Sequence, residues 1–257
     1  MQTQTLLLLL VFLPGEDARV IHVDASGRVF PVVVLDRVLS EDGFAKLREM
    51  LHEPGLFFDG EGVTFPGKIA LLDLGTIAPL VSALRGSKEV QRLYLGGVFD
   101  SRFMRGFASV MCGTGGPHKD DVFPSNTVPP AAVFYIDVLG DGDGAEERTT
   151  KERTGTSFFT KNDDDHSYTE KKRIVARQNR MILYPQNVWH NAWVSDTSLL
   201  DCTSASAPRR MAISLFFATA GGVALLKDAG DEDEVAKVQR RYSRKSVHWP
   251  NWPLGDL

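Results

Sequence analysis

From about Phe103 the chain changes rhythm. Short runs rich in β-branched and aromatic residues follow one another, at 107–111, 131–138, 156–159, 173–176, 180–184, 190–194 and 211–218. Clusters of Gly, Pro and Asp separate them. Short strands at such spacing, broken by turn residues, constrain the chain to an all-β sandwich or barrel. Two polar stretches interrupt the series, 140–155 and 161–172, the second containing Asp163-Asp164-Asp165. Both read as solvated loops.

The part before this series mixes strand and helix. The β-branched run 32–35 reads as a strand. Ser40 caps a helix with Glu41 and Asp42 in its first turn, Phe44, Leu47 and Leu51 on one face, and Pro54-Gly55 as its stop. Thr76 opens a second helix with Pro79 in its first turn. Its Ile77, Leu80, Val81 and Leu84 recur at i, i+3, i+4, i+7, and Gly86 ends it. These apolar faces are expected to pack on a sheet. After the β series, 231–242 reads as a charged helix, acidic first and basic last, as the helix dipole favours. The proline-bearing tail 248–253 can only be extended. The expected organisation is a single domain over 1–257. A strand and helix support region covers 15–100, a β core covers 103–220, and a helix and tail cover 221–257.

Composition narrows the class. With 257 residues, 43% hydrophobic and 24% charged, the chain is neither disordered nor collagen-like nor coiled-coil. Lys and Arg number 29 against 33 Asp and Glu, a net charge of −4, which disfavours an extended phosphate-binding surface. No nucleic-acid and no membrane partner is expected. Cys112 and Cys202 are too few for a disulfide framework or a four-cysteine zinc site, and read as reduced thiols in a cytosol-like compartment. The apolar run Leu6 to Leu13 is too short to span a bilayer. It is a buried strand, a tail or a signal-peptide core, although no Lys or Arg precedes it and no A-x-A site follows. Cytoplasmic placement is the expectation.

Four segments carry candidate chemistry. In an extended chain, residues i and i+2 point to one side. His118 and Asp120 can therefore offer an imidazole and a carboxylate to one metal ion, and a second histidine would complete a triad that leaves one face of an iron(II) ion open. H-x-D occurs twice, at His22-Val23-Asp24 and at His118-Lys119-Asp120. Context favours the second, because the strand series follows it and contains His190. In Arg210-Met-Ala-Ile-Ser-Leu-Phe-Phe, Arg210, Ala212, Ser214 and Phe216 share one strand face and bulky apolar residues share the other. The first face can line a cavity holding an anion, since the planar Arg fork matches a carboxylate; an edge strand with Arg210 in solvent is the alternative. Tyr135, out of phase with Phe134 and Ile136, can point its hydroxyl into a barrel or be a core aromatic. Tyr184, Trp189 and Trp193 read as core or rim aromatics.

The order of these elements resembles the iron(II)- and 2-oxoglutarate-dependent dioxygenases, in particular their prolyl-hydroxylase-like branch, from about Phe103 to Ala218. Pro117-His118-Lys119-Asp120 looks like the first two metal ligands, and 132–137 like the strand whose tyrosine reaches the cosubstrate. Gly155-Thr156-Ser157-Phe158-Phe159 is similar to the G-G-T-x-F strand, with one Gly of the pair. Asn179 to Pro185 resembles the N-R-h-h-h-F strand that precedes the distal histidine, here His190, and Arg210 begins the strand that binds the far carboxylate. The gap from His190 to Arg210 is longer than usual and contains a polar loop with Cys202, which makes Arg209 the fallback anchor.

The resemblance implies a distorted double-stranded β-helix, jelly-roll or cupin-like. It implies metal ligation by His118, Asp120 and His190, and cosubstrate binding by Arg210 and Tyr135. Iron(II), 2-oxoglutarate and O2 would be required, with release of succinate and CO2. Asp120 in the ligand set implies a hydroxylase-type enzyme rather than a halogenase. Two other readings keep the scaffold: a cupin-like metal enzyme without 2-oxoglutarate, which has no need of Arg210, and a non-catalytic barrel. Substrate is left open among an amino acid, a peptidyl residue and a small molecule, as is the oligomeric state. Loops at 121–130, 140–155 and 161–172 would form the rim.

Overall fold

The computed structural model describes residues 18–25, 28–59, 67–94, 104–120, 130–138, 154–162, 164, 167–197, 200 and 210–217. The expected helix at 231–242, the proline tail, the Leu6 to Leu13 run, Arg209 and Cys202 lie outside them.

The strand runs of the sequence are strands: β5 (Met104–Met111), β6 (Pro130–Asp137), β7 (Thr154–Lys161), β8 (Tyr168–Val175), β9 (Arg180–Pro185), β10 (Trp189–Val194) and β11 (Met211–Phe217). Ahead of them come β1 (Ala18–Ala25), β2 (Arg28–Leu35), β3 (Phe58–Asp59) and β4 (Gly67–Leu71). Among the described residues they form an eight-stranded sheet, β1-β2-β9-β6-β11-β5-β4-β3, and a three-stranded sheet, β10-β7-β8. Each named strand pairing is antiparallel. From β5 to β11 the chain crosses between sheets repeatedly: β5 and β6 lie in the large one, β7 and β8 in the small one, β9 in the large, β10 in the small and β11 in the large.

The large sheet is covered on both faces. Phe134, Ile136, Leu183, Ile213 and Leu215 meet Leu51, Ile77, Leu80 and Leu84 of the helices in one core. Val32, Val133, Ile182 and Ala212 meet Phe158 and Ile174 of the small sheet in the other. Two-sided burial explains why β6 reads as apolar up to its last residue, Asp137: every one of its residues is buried.

Helix α1 (Glu41–Leu51) starts as the sequence predicts, with the Ser40 hydroxyl accepting from the Gly43 amide at 3.2 Å. Phe44 packs edge-on against Phe134 at 6.1 Å and docks α1 on β6. Helix α2 (Leu74–Gly86) starts earlier than expected. Asp73, not Thr76, is the cap, and its carboxylate accepts from the Thr76 amide at 2.7 Å. A short helix α3 (Lys88–Tyr94) follows, which sequence reasoning missed. The expected loop at 161–172 is also corrected. Its second half belongs to β8, an edge strand whose residues 169–173 are all exposed, so their polarity reports solvent and not a loop. Among the described residues, no helix is long and apolar enough to cross a membrane.

Cys112 is disulfide-bonded, which overturns its reading as a reduced thiol. Disulfides persist in oxidising compartments, so the argument for a cytosol-like one falls with it.

Candidate metal and anion site

Two backbone hydrogen bonds build the first half of the site. His118 N donates to His190 O and His190 N to His118 O, each at 2.9 Å, an isolated antiparallel bridge beside the small sheet. Asp120 N donates to Gln186 O at 2.9 Å and fixes the next inward residue. The side chains of His118, Asp120 and His190 then converge, with one ligand atom of each within 4.8 Å of the others. His190 Nε2 lies 3.2 Å from Asp120 Oδ2, and His118 Nε2 lies 3.7 Å from Asp120 Oδ1. His190 and Asp120 are nearly buried, whereas the His118 side chain is 56% exposed.

Both imidazoles are oriented from behind. His118 Nδ1 lies 3.1 Å from Gly116 O, and His190 Nδ1 lies 3.0 Å from Val188 O. A carbonyl only accepts, so Nδ1 carries a proton in both rings, and Nε2 of the neutral ring is the atom that can turn a lone pair to a cation at the cluster. Burial lowers the His118 pKa, and the neighbouring His190 lowers it further. Burial would push Asp120 up, but His190, His118 and the Tyr184 hydroxyl outweigh it and hold the carboxyl below its ordinary range. Burial likewise opposes charge on His190, and Asp120 reverses that and raises it.

Arg210 occupies the other end of the same face. As the alternation predicts, Ala212 and Phe216 face the small sheet while Met211, Ile213, Leu215 and Phe217 face the helices. Arg210 is 3% exposed. Its Nε donates to Thr154 Oγ1 at 2.9 Å and its Nη2 to Gly155 O at 3.3 Å, and its guanidinium lies 5.8 Å from the Tyr135 ring centre. No carboxylate pairs with it among the described residues. Burial lowers its pKa, with Tyr135 and Tyr184 working the other way. The Tyr135 hydroxyl meets Thr156 Oγ1 at 2.8 Å, and burial raises its pKa. Thr154 lies beside Arg210, and Phe158, its fourth neighbour along β7, pairs with His190. The two ends of the site thus lie along one strand.

The second H-x-D takes no part. His22 and Asp24 are exposed on β1, while Val23 and Ala25 between and after them are buried. Sequence reasoning missed Thr154 and Thr156. Their signal was the alternation of β7, which puts 154, 156 and 158 on one face. It also passed over Tyr184 as a core aromatic, although its hydroxyl donates to Asp120 Oδ2 at 3.4 Å. The Asn179-Arg180 pair proves structural. Asn179 adopts φ 58° and brackets the Leu39 backbone with both amide atoms, and Arg180 holds Asp36. Beyond the metal end, Phe107 and Phe216 stack with ring centres 5.7 Å apart and stay half-buried.

No family model matches the chain, and no curated protein does. Among solved structures it is similar to a Pseudomonas putida prolyl-4-hydroxylase, at 12% identity over 73% of this chain and 92% of that one, with a TM-score of 0.47. It is similar to the non-heme alpha ketoglutarate dependent epimerase SnoN from nogalamycin biosynthesis, at 15% identity over 74% and 78%, TM-score 0.47. It is also similar to HygX from Streptomyces hygroscopicus, solved with nickel and 2-oxoglutarate bound, at 10% identity over 74% and 82%, TM-score 0.43.

Proposed function

We propose that this chain is an iron(II)- and 2-oxoglutarate-dependent oxygenase of the hydroxylase type, built on a double-stranded β-helix. His118, Asp120 and His190 are its metal ligands, and Arg210 with Tyr135 holds the cosubstrate. The observation that carries this reading is the pairing of two features between the large and small sheets. A two-histidine, one-carboxylate cluster stands at one end, and a buried guanidinium that no carboxylate among the described residues pairs with stands at the other.

The donor set fits the metal. Two neutral imidazoles with Nε2 free and one carboxylate make a facial triad that suits a non-haem iron(II) ion and leaves positions open. Arg210 fits the far carboxylate of a keto diacid. A buried guanidinium is costly without an anion, and its planar fork binds a carboxylate through two parallel hydrogen bonds. Thr154 and Gly155 orient that fork, and Thr156 aims the Tyr135 hydroxyl beside it. The iron, 2-oxoglutarate and O2 together supply oxidative decarboxylation to succinate and CO2, coupled to oxidation of a substrate. The protein's part is to seat the diacid, exclude water at the Arg210 end and admit substrate at the exposed His118 end. Substrate, a small molecule, an amino acid or a peptidyl residue, reaches the metal past the Phe107–Phe216 pair.

Arg210 separates this reading from a cupin-like enzyme without 2-oxoglutarate, in which a buried cation at that end has no task. The test is succinate release from 2-oxoglutarate by the purified chain with iron(II) in air. Release that is lost in His118→Ala and in Arg210→Met supports the reading. Succinate formation at the same rate in both variants, or none with the wild type across all three substrate classes, overturns it.

A further inference from the structure

We infer that Tyr184 is a positioning residue for the metal centre. Its hydroxyl holds one oxygen of Asp120 and leaves the other to ligate. This rests on the metal-centre reading above.

Tyr184 is 2% exposed, on the face of β9 that packs against the small sheet. Its ring packs edge-on against Phe158 at 5.4 Å and tilted against His190 at 4.8 Å, with Ala131, Val133 and Ile182 in the same core. Those neighbours ask only for an apolar ring, and phenylalanine would serve them. A hydroxyl there costs free energy unless it is bonded. Its hydrogen-bond partner is Asp120 Oδ2, at 3.4 Å.

The carboxylate needs such a partner once the metal is bound. Without metal, His190 Nε2 approaches Asp120 Oδ2 at 3.2 Å. When Nε2 of both histidines turns its lone pair to a cation, that contact ceases to be a hydrogen bond. The Tyr184 hydroxyl is then the one described side chain that still donates to the carboxylate. Bound at Oδ2, it leaves Oδ1, the oxygen toward His118, as the ligand atom. A carboxylate free to rock would alternate between one-oxygen and two-oxygen ligation. Hydrogen bonds to ligating carboxylates set orientation and affinity in metal sites generally.

The test compares wild type with Tyr184→Phe, which removes one oxygen and keeps the ring. Cobalt(II) is titrated into the metal-free full chain, with affinity read by calorimetry and coordination by the visible absorption of the bound ion. Thermal unfolding of the metal-free proteins is the control for packing. The expected result is a cobalt(II) Kd raised about tenfold or more, the usual cost of losing an outer partner. It is accompanied by an altered cobalt(II) spectrum and an unchanged metal-free Tm. A Kd within about twofold of wild type with an identical spectrum overturns the inference and leaves the metal centre standing. A weaker Kd accompanied by a lower metal-free Tm assigns Tyr184 to packing and also overturns it. Failure of the wild type to bind cobalt(II) overturns the metal centre itself.

Discussion

His118 and His190 are locked to each other through their backbones, each amide donating to the other's carbonyl at 2.9 Å. Residues from distant parts of the chain therefore keep a fixed register before any metal arrives. The side chains contribute little to that register, because His118 is more than half exposed. His118→Ala should abolish cobalt(II) and iron(II) binding while changing the stability of the metal-free protein by no more than about 0.5 kcal/mol, the usual range for an exposed site. Calorimetric titration beside urea unfolding checks both halves.

Arg210→Lys keeps a positive charge but loses the planar fork. With Thr154 and Gly155 placed for a guanidinium, the shorter ammonium reach should raise the apparent KM for 2-oxoglutarate about tenfold or more, while the cobalt(II) Kd stays at the wild-type value. Parallel titrations of metal and cosubstrate on the variant measure the split. A weakened metal Kd with unchanged 2-oxoglutarate binding contradicts the assignment.

Gly155 is set by close approach. A Cβ there would collide with the Ile174 carbonyl oxygen, a backbone atom of the paired strand that cannot swing away. Gly155→Ala should cost about 2–3 kcal/mol, as overpacking does, and should also disturb the flanking Thr154 and Thr156. Chemical denaturation measures the first effect and 2-oxoglutarate affinity the second.

Asp36 and Arg180 tie β2 to β9. Arg180 is buried and grips both Asp36 oxygens, one of them at 2.9 Å. Burial would raise the Asp36 carboxyl, but Arg180, as hydrogen-bond donor and charge, overrides it and holds the pKa below the ordinary 3.8. The folded protein thus binds the proton less well than the unfolded chain. The stabilisation is complete above the ordinary carboxyl value and is lost as pH falls through the folded one. Asp36→Asn should destabilise by at least ~2 kcal/mol near neutral pH, because it leaves Arg180 buried without its anion. It should also flatten the loss of stability below the carboxylate range. Unfolding free energies from neutral pH down to acid test the slope.

The sequence revealed the strand series because alternation and turn residues are local signals. The metal cluster was legible for the same reason. H-x-D on an extended segment needs only the two-residue repeat, and His190 sits on a strand of its own. Arg210 was legible from the small residues that share its face. Other features depend on tertiary partners. Thr154 and Thr156 matter only through what faces them across the cavity, and nothing local distinguishes the hydroxyl of Tyr184 from that of any buried tyrosine. The first part of β8, 168–172, reads as loop because an edge strand facing water has the composition of one. The start of α2 shifted because Asp73 and Thr76 are both good caps, and packing chose the earlier.

The proposed function requires one site that holds iron(II) and 2-oxoglutarate together. The most direct measurement is an anaerobic absorption titration of the metal-free chain with iron(II), with 2-oxoglutarate, and with both. The expected result is a weak visible charge-transfer band that needs both components, disappears in His118→Ala, and requires much more 2-oxoglutarate in Arg210→Lys. Iron(II) binding with no such band at saturating 2-oxoglutarate, or a band unaffected by either substitution, would contradict it.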